Sequence, residues 1–100
     1  MPFVQQPVSG LLPQLAWHPQ SVTNLQGATV QFSATAVGAP PLSYQWQKNS
    51  TNLVGQTNTT LTLNGVMTND TANYVIVVSN AYGSVTSATA LLWVAALTVC

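Results

Sequence analysis

The chain has 100 residues, 47% of them apolar and 2% charged, with one basic and one acidic side chain and a formal net charge of zero. That is one domain's length with enough apolar residues for a real core, whereas soluble domains usually carry roughly 25% charged residues. Lys48 stands alone, which argues against electrostatic capture of nucleic acid or anionic lipid, since both need clustered Lys or Arg; no apolar run reaches the ~20 residues of a membrane span.

Residues 1–14, "MPFVQQPVSGLLPQ", are broken by Pro2, Pro7 and Pro13 and lack a basic leading region. They read as a linker or tail rather than a signal peptide. Strand signals dominate the rest of the chain. "ATVQFSATAV" puts Val30, Phe32, Ala34 and Ala36 on one face and Gln31, Ser33 and Thr35 on the other, the period-two pattern of a strand with one wet face. "LSYQWQK" alternates likewise, with Leu42, Tyr44 and Trp46 opposite Ser43, Gln45 and Gln47. "TTLTLNG" places Leu61 and Leu63 inward and Thr60 and Thr62 outward. "NYVIVVSN" is apolar on both faces, and "SVTSATALLWV" sets Thr86, Ala88, Ala90, Leu92 and Val94 in one register. Gly, Pro and Asn clusters ("NLQG", "GAPP", "KNSTN", "NGVMTND", "NAYG") divide these runs. No segment shows a helical period with caps. Short strands at this spacing imply an all-β two-sheet sandwich or a small barrel. Residues 95–100 are read as a C-terminal tail, with Cys100 single and terminal, so no internal disulfide exists.

The stretch "DTANYVI" decides between the two. Its form, Asp-x-Ala-x-Tyr-x-Ile, resembles the start of strand F in immunoglobulin-like domains, Asp-x-Gly/Ala-x-Tyr-x-Cys. Tyr74 matches the corner tyrosine and Ile76 stands at the cysteine's position. Upstream, "GATVQFSATAVGAPPLSYQW" resembles I-set strands B and C, with Ala34 where the first cysteine would be and Trp46 at the core-tryptophan spacing. "HPQSVTNLQG" resembles a split first strand, "SNAYGS" the F–G hairpin and "ATALLWV" strand G. The likeness covers residues 15–94, and the wording resembles the cysteine-free Ig-like modules of large bacterial surface and secreted proteins. It implies a Greek-key sandwich of about seven strands, A, B and E facing C, F and G, with a short C′ near Leu53 and Val54. It also implies a location outside the cell or at its surface, as part of a larger protein.

On that template the structural core comprises Ala34, Trp46, Leu61, Tyr74 and Ile76. A disulfide between positions 34 and 76 would be worth roughly 4 kcal/mol by the loop-entropy model; burying Ile76 returns ~1.5–3 kcal/mol of that. Asp70, the only acid, has no arginine to pair with. It is expected to shape the turn by accepting backbone N–H bonds from Ala72 or Asn73.

Catalysis needs titratable groups that converge, and His18, Asp70, Lys48, Cys100 and three tyrosines are all the chain offers. His18 is placed in the first strand. No catalytic, cofactor or metal site is expected, because one acid, one histidine and one cysteine do not supply a ligand set. Asn49, Asn58 and Asn69 open N-glycosylation sequons, expected to be unused in a bacterial protein. The unusual surface is the outward face of F and G. Val75, Val77, Leu91 and Trp93 form an apolar stripe beside Gln45 and Gln47, the candidate interaction face. Its expected partners are neighbouring Ig-like modules, other proteins or a second copy of the chain. The leading expectation is a non-catalytic structural or adhesive module. Aromatic rings beside amides also stack on sugars, so the alternative is a carbohydrate-binding accessory module attached to a secreted hydrolase.

Overall fold

The computed structural model describes residues 11–96, and every described strand belongs to one of two layers. The first layer is built from β1 (Gln14–Trp17), β3 (Val30–Ser33), β4 (Thr35–Val37) and β7 (Thr60–Leu63). β3 pairs antiparallel with β7, and β4 with β1. β3 and β4 are two halves of one strand, interrupted where the Ala34 N–H turns to the Thr59 carbonyl (3.0 Å). The second layer runs in the order β2 (Val22–Leu25), β10 (Ala90–Ala95), β8 (Ala72–Asn80), β5 (Ser43–Lys48) and β6 (Thr51–Asn52). β9 (Gly83–Thr86) forms a hairpin with the far half of β8. β2 and β10 are parallel; the other pairs in this layer are antiparallel.

The period-two runs explain the core. Val30, Phe32, Trp46, Leu61, Tyr74, Ile76, Val78, Leu92 and Val94 all point between the layers and are buried. Ala34 and Ile76 lie in that interior, and Ile76 sits opposite Trp46 in the β5–β8 ladder. Phe32 joins the two sides, its ring 5.2 Å from Tyr74 in a stacked arrangement and 6.3 Å from Trp46 in a tilted one. Such aromatic contacts add about 0.5–1.5 kcal/mol beyond area burial. The Trp46 indole N–H is satisfied by the Asn58 carbonyl at 2.8 Å.

Three details depart from the sequence reading. The last strand is not continuous: β9 ends at Thr86 and β10 begins at Ala90. Before the break Ser87 faces inward; after it Ala90, Leu92 and Val94 do, while Thr86 and Ala88 are exposed. The phase therefore slips by one residue, because side chains rather than a regular ladder satisfy the backbone there. The second correction concerns the short strand beside β5. It forms at Thr51–Asn52, and Val54 is 96% exposed beyond it. Its position follows from a two-residue turn at Asn49 and Ser50, both at positive φ (49° and 69°), as tight hairpins that match strand twist require. The third is His18, which lies past the end of β1. The chain crosses there between layers, at Pro19, which has no N–H to give to a ladder.

Candidate interaction face

The corner at the base of β8 is held by four polar side chains, Asp70, Asn49, Lys48 and Tyr74. A single 3-10 turn, Thr68–Asp70, precedes β8. Asp70 closes it reciprocally: its N–H donates to the Met67 carbonyl, and its Oδ2 accepts from the Met67 N–H, both at 2.8 Å. The carboxylate thus bonds backward to Met67 rather than forward to Ala72 or Asn73. The Asn73 N–H is taken instead by Asn49 Oδ1 at 3.0 Å. Lys48 Nζ lies 3.7 Å from Asp70 Oδ1, so the two charges of the chain pair with each other. Tyr74 donates its hydroxyl to the Asp70 carbonyl at 2.8 Å. Burial, reinforced by the Asp70 charge, pushes the Tyr74 hydroxyl up to about 12.

His18 Nδ1 accepts the Ala88 N–H at 2.9 Å, in the gap between β9 and β10. Its other neighbours in the chain do not bring it into a cluster: among the described residues, no three His, Cys, Asp or Glu gather as a metal site would require.

The outward face of the second layer is where apolar side chains meet water. Trp93 is 55% exposed and Leu91 44%. Val75 and Val77 are half-buried. The pairing sets their arrangement. Leu91 lies opposite Asn73 on β8, and Trp93 opposite Thr23 on β2. Val75 and Val77 lie opposite Gln47 and Gln45 on β5. Leu91 and Trp93 therefore occupy the β2–β10 side, and the valines the β5–β8 side, with Asn73 among them. Leu25, paired with Ala95 and 52% exposed, extends the apolar surface at the β2 end. Its local sequence, "NLQG", reads as a turn; only the parallel β2–β10 pairing brings Leu25 to this face. The two glutamines are engaged at the edge. Gln45 Nε2 donates to the Trp46 and Leu53 carbonyls, each at 2.8 Å, and Gln47 Nε2 to Asn52 Oδ1, also at 2.8 Å. Trp17 and Tyr82 are two further exposed aromatics that the strand patterns do not single out. A register shift in β1 between Leu15 and Trp17 accompanies the outward position of Trp17.

Two antiparallel-rich layers, a buried tryptophan on β5 and a tyrosine hydroxyl bonded back to the corner before β8 together define an immunoglobulin-like β-sandwich, here without a disulfide. The model of the immunoglobulin domain family matches residues 13–80, and the chain belongs to that family. Similar solved structures include the tandem Ig repeats of Dlar, with a TM-score of 0.81 and 23% identity over 88% of this chain. This chain spans 50% of that one. A chimeric titin Z1Z2 carrying an exogenous decorin peptide matches at TM-score 0.76 and 28% identity, over 86% of this chain and 96% of that one. The titin M10–obscurin like 1 Ig complex matches at 0.80 and 22%, over 90% of this chain and 100% of that one.

Proposed function

We propose that the chain is a non-catalytic structural or adhesive module, a spacer or protein-interaction domain, within a larger extracellular or cell-surface bacterial protein. The observation that carries the reading is the exposed face of Leu25, Leu91 and Trp93 on an almost uncharged domain. A large aromatic left in water beside two exposed leucines marks a contact surface. The bacterial, extracellular setting is supported by the sequence likeness to cysteine-free Ig-like modules. A core closed by Ala34 and Ile76 instead of a disulfide folds independently of redox compartment.

The glutamine geometry favours a protein partner over a sugar. A carbohydrate platform uses amide donors beside the ring, and Gln45 Nε2 already gives both of its N–H groups to the Trp46 and Leu53 carbonyls while Gln47 Nε2 gives one to Asn52 Oδ1. A pull-down on insoluble polysaccharides tests this directly. No retention on the polysaccharide is expected. Retention that is abolished by Trp93→Ala would replace the protein-interaction reading with the carbohydrate-binding one.

A further inference from the structure

At the end of the sandwich where β8 turns into β9, one side chain joins three segments. Asn80 Nδ2 donates to the Leu11 carbonyl at 2.7 Å and to the Ala39 carbonyl at 3.0 Å. Its Oδ1 accepts from the Tyr82 N–H at 2.9 Å and the Gly83 N–H at 3.2 Å. The Leu11 carbonyl takes a second bond from the Ala39 N–H at 3.2 Å. A single amide thereby uses its donors on the entering chain and the loop after β4, and its acceptor on the β8–β9 turn.

Two glycines make room for the same entering segment. A Cβ at Gly38 would stand 2.9 Å from the Leu12 carbonyl oxygen and 3.0 Å from Pro13 Cα, both backbone atoms that cannot swing away. A Cβ at Gly83 would stand 3.0 Å from Leu12 Cδ2. Pro13 is buried. Hydrogen bonds and close packing thus act on residues 11–13 from two independent loops, ahead of the first strand.

We propose that residues 11–13 are a latched leader belonging to the folded domain, with Asn80 as the latch that holds them against the loop after β4 and the β8–β9 turn. The same turn presents Tyr82, 55% exposed. The proposal deepens the module reading by giving the module an ordered segment ahead of β1; the latch itself does not depend on that reading. It also moves the start of the domain upstream of residue 15, the boundary expected from sequence.

Backbone nitrogen-15 relaxation and hydrogen exchange on the full chain test it. In the wild-type protein the Leu11 and Leu12 amides are expected to be as ordered as Trp46, with order parameters of about 0.85. Asn80→Asp keeps an acceptor for Tyr82 and Gly83 but sets a carboxylate against two carbonyls. In that variant the Leu11 and Leu12 order parameters are expected to fall below about 0.6. Exchange at Ala39 should accelerate about tenfold or more, with Trp46 and Ile76 unchanged. If Asn80→Asp does not fold, Leu12→Ala, which removes the contact with Gly83, should loosen the same two amides. Mobile Leu11 and Leu12 amides in the wild type, or no loosening in a folded variant, would overturn the latch. Either result leaves the interaction-face reading untouched.

Discussion

Among the described residues, Ser87 carries the one buried polar side chain of the core, 7% exposed. Its hydroxyl accepts from the Ile76 N–H at 3.0 Å and donates to the Ala88 carbonyl at 2.9 Å, while its own N–H reaches the Ile76 carbonyl at 2.9 Å. The pattern recurs wherever the second layer's ladder is incomplete. Thr71 Oγ1 accepts from Val94 N–H, Ser21 Oγ from Leu91 N–H and His18 Nδ1 from Ala88 N–H, all at 2.9 Å. Ser21, Thr71 and Ser87, polar but uncharged, thus serve as backbone partners. Ser87→Ala strands a buried donor and should cost about 1–3 kcal/mol in urea unfolding, against less than about 0.5 kcal/mol for exposed Ser84→Ala. Equal costs would show that the hydroxyl is not needed. Tyr74 makes a pH-dependent case. Its pKa is raised on folding, so its neutral form is favoured in the native state. The resulting stability is complete below pH 10, its ordinary value, and lost as pH rises through about 12. Stability of the wild type should therefore fall more steeply over that window than that of Tyr74→Phe. At the corner, Asp70→Ala should cost about 0.5–2 kcal/mol through the lost Met67 bond, whereas Lys48→Met should cost less than about 1 kcal/mol because the ion pair is partly exposed.

At the scale of elements, the alternating strands were legible because their two faces differ in polarity. Val30 to Ala36, Leu42 to Trp46 and Leu61 to Leu63 each show a distinct apolar face, and each buries it wholly or in part. The tail of the sheet was not legible for the opposite reason. Thr86, Ser87, Ala88 and Thr89 are all small, so either phase fits the pattern. Only the long-range bonds to Ile76 and His18 decide it. The candidate face was half-legible for the same kind of reason. Leu91 and Trp93 follow from the period of β10, but Leu25 joins them through a parallel pairing that no local pattern reveals. The Asn49–Ser50 turn was visible as a turn but not as one with two positive φ values. Serine pays steric strain in that region, so Ser50→Gly should raise stability by up to about 1 kcal/mol. A loss on that substitution would mean the turn relaxes in solution. Trp46→Ala should cost about 3–5 kcal/mol, because the ring is fully buried between the layers. Trp93→Ala should cost far less, and comparable losses would contradict the assigned faces.

For the whole molecule, the two charges cancel and pair with each other. Little repulsion keeps copies apart, and the face carrying Leu25, Leu91 and Trp93 offers apolar surface on strands whose inner sides already build the core. Burial of that face needs no rearrangement of the fold. Association through it should be hydrophobic and therefore nearly insensitive to salt. Sedimentation velocity across a hundredfold range of concentration tests the interaction-module account most directly. The account predicts mass that rises with concentration in the wild type and a folded monomer throughout for Trp93→Lys combined with Leu91→Lys. A wild-type monomer at every concentration, or association that survives both substitutions, would contradict it.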